Sequence, residues 1–120
     1  MKIDLTNHEA ENILATMRSI SNGSAINGLL AYKLAKITTR LEQELNPYLS
    51  AKQKVISKYA EETDENGIVT KWGDLEGANK EYREIAKELI EVEYKPLSED
   101  DFSMIECTVQ QAELLMKFVE

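Results

Sequence analysis

The chain has 120 residues, 42% of them hydrophobic and 30% charged, with a formal net charge of -8. That is the length of a single domain, residues 1–120, and the composition excludes a disordered chain. The acidic balance argues against direct nucleic-acid binding or adhesion to an anionic membrane, both of which need a basic face.

The acid is unevenly placed. Residues 1–32 sum to -1, residues 33–60 to +4 and residues 61–120 to -11. Cys107 is the single cysteine, so no internal disulfide frame is available and an intracellular setting is expected. Met1–Asn7 lacks the apolar run of a signal peptide, and no stretch approaches the roughly 20 apolar residues of a membrane span. No membrane role is expected.

Lys2-Ile3-Asp4-Leu5 alternates polar and apolar, which predicts a short half-buried strand. Thr6-x-x-Glu9 is a capping box, in which hydroxyl and carboxylate each satisfy an orphan backbone N–H. It opens a helix whose stripe is Ala10, Ile13, Leu14, Met17 and Ile20. Ser21-Asn22-Gly23-Ser24 is expected to end it and to turn the chain back, so that residues 1–24 form an N-terminal strand and helix.

Residues 25–93 read as a long antiparallel helical hairpin. Its first arm runs from about Ala25 to Tyr59, with Leu30, Leu34, Ile37, Leu41, Leu45, Tyr48, Val55 and Tyr59 close to a coiled-coil heptad. Pro47 falls inside this arm. It removes the N–H that would bond the Gln43 carbonyl, so a kink is expected near Asn46, with two abutting helices as the alternative. The tip, residues 61–74, is acidic and holds Asn66-Gly67, a strong turn signal; a small β-hairpin and an irregular loop are both compatible with it. Asp74 can cap the second arm, whose apolar positions are Leu75, Ala78, Tyr82, Ile85, Leu89 and Val92. Folding back about the tip places Tyr59 near Ala78, Val55 near Tyr82, Tyr48 near Leu89 and Leu45 near Val92. The second arm covers only half of the first. The N-terminal helix is expected to cover the remainder, with Met17 near Leu30 and Ile13 near Leu34.

Residues 94–120 read as a small C-terminal module. Glu91–Lys95 alternates as a strand stopped by Pro96. Ser98-x-x-Asp101 starts a helical turn, Ser103–Cys107 is a strand candidate, and Thr108-x-x-Gln111 is a second capping box before a last amphipathic helix. The fold class is mainly α, with α+β as the alternative: a long antiparallel helical hairpin with extra N- and C-terminal helices and a few short strands.

Several segments combine in a familiar order: Lys33-Leu34-Ala35-Lys36, Leu41-Glu42-Gln43-Glu44-Leu45, Pro47-Tyr48, Lys58-Tyr59 and Asp64-Glu65-Asn66-Gly67. Asn79-Lys80-Glu81-Tyr82, Val92-Glu93, Pro96-Leu97-Ser98 and Ala112-Glu113-Leu114-Leu115 follow. Over residues 30–120 this order resembles small acidic proteins encoded by tailed bacteriophages and prophages of Gram-positive bacteria. The resemblance implies a phage origin and a place in the cytoplasm of an infected or lysogenic host, or in the virion. It transfers no functional residue.

The tip resembles a calcium loop. Counting from Glu62, Asp64, Asn66, Gly67 and Val69 fall at the third, fifth, sixth and eighth positions of such a loop. The first position needs Asp and the twelfth a bidentate Glu, and these places hold Glu62 and Gly73. No metal and no cofactor are expected. Trp72, Glu62, Asp64, Glu65 and Asn66 are the expected partner-binding residues, since tryptophan is enriched at binding hot spots; the plainer expectation is that Trp72 folds back over Tyr59 or Leu75. His8 reads as a solvated residue and Cys107 as a small buried one, so no catalytic residue is assigned. The sequence therefore predicts a non-enzymatic protein that binds protein, either itself as a homo-oligomer or a phage or host partner. The alternative is an inhibitor of a host defence protein, acting by steric block or by nucleic-acid mimicry through Glu61–Glu65 and Glu99–Asp101.

Overall fold

A computed structural model describes residues 1–23 and 26–120. The elements in order are strand β1 (Lys2–Thr6), helix α1 (Asn7–Gly23), helix α2 (Gly28–Tyr59), strands β2 (Ala60–Thr63) and β3 (Val69–Trp72), helix α3 (Leu75–Ala86), strand β4 (Leu89–Glu93), and short helices α4 (Glu99–Ser103) and α5 (Val109–Leu115). A 3-10 turn, Met116–Phe118, follows. The mainly helical expectation holds, with two small antiparallel sheets added, one of β1 and β4 and one of β2 and β3. The Ser21–Ser24 turn lies partly outside the described residues.

Local signals fix most boundaries. Thr6 Oγ1 accepts from the Glu9 N–H at 3.1 Å while Glu9 Oε1 accepts from the Thr6 N–H at 3.2 Å. Ser98 with Asp101 and Thr108 with Gln111 form the same reciprocal box. Asn27 starts α2 by accepting from the Leu30 N–H at 2.8 Å. The 32-residue α2 runs unbroken through Pro47, which decides against two abutting helices. Helices α1 and α2 bury their apolar stripes in one core, joined by Leu5, Val92, Tyr94, Leu97, Ile105, Leu115 and Phe118.

Three sequence expectations are corrected. First, the second arm of the hairpin stops at Ala86, and Leu89–Glu93 is a strand paired with Lys2–Thr6. Its register sets Val92 opposite Ile3 and Ile90 opposite Leu5, so both core-facing pairs match, while Leu89 lies 66% exposed. Asn7 holds the chain at this point: its side-chain amide donates to Ile85 O in the last turn of α3 at 2.8 Å and its backbone N–H to Glu88 O, beyond the helix end, at 2.9 Å. Tyr48 consequently meets Tyr82 and not Leu89.

Second, α1 packs against the middle of α2 and not its start. Arg18 pairs with Glu42, and Glu11 pairs with Lys52 at 2.9 Å. This register is displaced toward the tip by roughly four helical turns from the Met17–Leu30 expectation. The first turns of α2 are covered instead by the C-terminal module, tied across by Lys33 Nζ to Asp101 Oδ2 at 2.8 Å. Third, Ser103–Cys107 is no strand; α4 ends there and an irregular link leads to α5. The module closes through a parallel bridge, Leu97 to Val119, and an edge-to-face contact of Tyr94 and Phe118 with ring centroids 4.9 Å apart.

Candidate functional site at the hairpin tip

The end of α2 does not simply turn into α3. The Ala60 N–H still bonds Ile56 O, and the chain then extends into β2. From there Asp64 organises the reversal. Its Oδ1 accepts from the N–H groups of Asn66 and Ile68, both at 2.9 Å. Its backbone N–H donates to Ile68 O at 2.8 Å. Gly67 sits at φ 80°, the left-handed conformation that glycine adopts without steric cost. The return strand β3 is out of step with β2 on either side of the Glu62–Lys71 pair. The Gly73 N–H closes the base on Tyr59 O at 2.9 Å, and Asp74 Oδ1 caps α3 through the Gly77 N–H at 2.9 Å. Gly77 has no room for a side chain: a Cβ there would lie 2.5 Å from Asp74 Oδ2 and 3.0 Å from Tyr59 Cε1.

Four of the five expected contact residues, Glu62, Asp64, Glu65 and Asn66, share this turn and are exposed. Trp72 does not join them. It is half-buried at the base, opposite Ala60. Asp64 is a turn organiser first, because both its backbone and one carboxylate oxygen are engaged in the loop. Glu61 pairs loosely with Lys71 at 3.5 Å. Among the described residues Glu62 and Glu65 make no ion pair, so the tip offers two free carboxylates beside an apolar Ile68 that is 63% exposed. Two strands and a tight turn, and not an open twelve-residue loop, occupy the positions that resemble a calcium loop. Among the described residues no group of three or more acidic, histidine or cysteine side chains is set to hold a metal.

Behind the tip lie two clusters. Lys58 Nζ stands 3.3 Å from Glu81 Oε1 and 5.0 Å from the Tyr59 ring centroid. The Tyr59 hydroxyl and the Lys58 ammonium hold the Glu81 carboxyl below its ordinary range. Further along, α1, α2 and α3 meet at Glu11, Tyr48, Lys52 and Tyr82. The single proton of the Tyr48 hydroxyl has two acceptors within reach, the Tyr82 oxygen at 3.1 Å and Glu11 Oε1 at 3.4 Å. Burial, and then the Tyr82 hydrogen bond and the Glu11 charge, push the Tyr48 hydroxyl well above its ordinary value. Lys52 stacks over both rings at 5.4 and 5.3 Å. A phenol held protonated in this way donates and positions; it joins three helices and fixes the base from which the tip projects.

No family model, curated protein or solved structure matches the chain. Its reading therefore rests on its own geometry. Sequence reasoning missed the Glu11–Tyr48–Lys52–Tyr82 cluster, although Tyr48 and Tyr82 both stood on the apolar stripes; what joins them is a tertiary register that spacing along one helix does not fix. Of the acidic cluster Glu99–Asp101, Asp101 belongs to the fold, while Glu99 and Asp100 are exposed. Asp101 is buried in the capping box and bound to Lys33. His8 is exposed and Cys107 half-buried against the core. No helix of the described residues is long and apolar enough to cross a membrane.

Proposed function

We propose that this is a non-enzymatic helical interaction protein of phage origin, which uses the hairpin tip as its contact surface and works as an oligomer or as a small part of a larger assembly. The observation that carries this reading is the α2 spine. It spans about 48 Å, nearly the full 50 Å long axis of the molecule, and ends in a hairpin on which Glu62 and Glu65 make no ion pair among the described residues. A hairpin built by three hydrogen bonds to Asp64 and one positive-φ glycine is a defined shape, so a partner meets it with little ordering cost. The phage origin is supported by the ordered segments between Lys33 and Leu115 described above.

The test is sedimentation of the purified full chain, together with retention of proteins from phage-infected and lysogenic cells on the immobilised chain. The reading expects a mass above the monomer, or a discrete retained protein that Glu62→Lys/Glu65→Lys releases. A strict monomer that retains nothing contradicts it.

A second reading, inhibition of a host defence protein by acidic mimicry, is favoured by the free carboxylates of Glu62 and Glu65. It draws on the tip and on the exposed Glu99 and Asp100, Asp101 being held inside the fold. Under it the retained protein is a basic, nucleic-acid-binding one that added DNA displaces.

A further inference from the structure

A groove of about 730 Å³ lies at the other end of the spine from the tip, between the outer face of α2 and the end of β4. Tyr32, Lys36, Thr39, Arg40 and Gln43 line it from α2, and Glu93 and Lys95 from the strand. On a chain of net charge -8 this wall is basic. Lys36, Arg40 and Lys95 are exposed and make no ion pair among the described residues, and Glu93 is the one carboxylate in the lining. Tyr32 is 58% exposed, and Lys36 Nζ sits over its ring at 5.1 Å. An apolar ring flanked by free cations suits an acidic segment that also carries an apolar side chain.

The tip has that composition, with Glu62 and Glu65 around the exposed Ile68. Its dimensions also fit. The groove runs about 16 Å along α2 from Tyr32 to Gln43, and each four-residue strand of the tip is about 13 Å long. The two surfaces cannot meet within one molecule, because about 24 Å of helix separates Gln43 from Tyr59.

We infer that the groove takes the acidic tip of a second copy of this chain, so that copies join head to tail. The inference rests on the proposed interaction role of the tip and supplies its partner. A heterologous contact of this kind closes into a ring or grows as a filament. Exposed charges set its orientation and make it sensitive to salt.

The experiment compares the full-length wild type with a tip variant, Glu62→Lys/Glu65→Lys, and a groove variant, Lys36→Glu/Arg40→Glu, by sedimentation over a concentration series. Circular dichroism checks that all three fold, and the four side chains concerned are on the surface. Each variant alone is expected to associate at least about tenfold more weakly than the wild type. An equimolar mixture of the two is expected to recover association, because each then offers the complement the other lacks. A groove variant that assembles as the wild type does, or a mixture that stays dissociated, overturns the inference. A tip variant that dissociates while the groove variant does not leaves the proposed function standing and removes only the groove. A monomeric wild type also overturns the inference, and the retention experiment then decides the proposed function separately.

Discussion

Asp101 shows how much a single side chain does in a chain this small. It closes the α4 capping box with Ser98, and its Oδ2 takes Lys33 from a helix 68 residues away. The Lys33 ammonium and the Ser98 N–H hold its carboxyl below the ordinary range. Glu9 is lowered in the same direction, by Lys117 and by the Thr6 N–H. A carboxyl lowered in the folded state contributes stability that is complete above its unfolded pKa of roughly 4 and is lost as the pH falls through the folded value. Acid unfolding is therefore expected to steepen below about pH 5. Asp101→Asn keeps an oxygen for the cap but loses the charge. Urea titrations at several pH values should show it less stable than the wild type at neutral pH, by about 1 kcal/mol, with the gap closing as the pH falls. A gap that stays constant from neutral pH to pH 3 would contradict this role.

At the scale of elements, the informative cases are the ones where two local rules competed. Capping boxes at Thr6, Ser98 and Thr108 were legible because each is complete within four residues. The tip hairpin was legible as one of two outcomes because Asn66-Gly67 dictates a reversal. Glu91–Lys95 was legible as a strand, but the start of β4 at Leu89 was read as helix, because the apolar residues there satisfy two periods at once. Leu89 and Val92 continue the α3 heptad, while Ile90 and Val92 alternate as a strand. Pairing with Lys2–Thr6 and the capture of Ile85 O by Asn7 decide for the strand, and neither can be seen from one segment. The placement of α1 was misread for a related reason. A four-residue turn suggested an immediate return, but the first turns of α2 are met from the far end of the chain, by Asp101 at Lys33 and Met104 at Asn27. Pro47 gives an element-scale prediction. It is exposed inside a continuous helix, so it costs a backbone hydrogen bond and gains no core contact. Pro47→Ala should raise the unfolding free energy by about 1–3 kcal/mol in chemical denaturation, and a lower stability would show that the ring has a packing role.

On the scale of the whole molecule, the spine separates two surfaces of opposite charge. Lys33 to Lys58 carry the basic excess, and two of its free cations, Lys36 and Arg40, line the groove beside β4. The acidic excess follows Tyr59, and two of its free carboxylates, Glu62 and Glu65, stand at the tip. The sequence showed that division of charge and placed the tip at the right residues. It did not show the groove, because Lys95 and Glu93 reach α2 only once β4 has paired with β1. The central claim is that the tip is the surface through which the chain meets another protein, and it can be tested with a photo-crosslinking amino acid in place of Ile68. A control carries the same group at Val109, which is 77% exposed on α5. Irradiation of the assembled protein or of expressing cells is predicted to give discrete adducts from position 68, mapping to residues 32–43 of a second copy or to another protein, and none from position 109. No adduct from position 68, or the same adducts from both positions, would contradict the account.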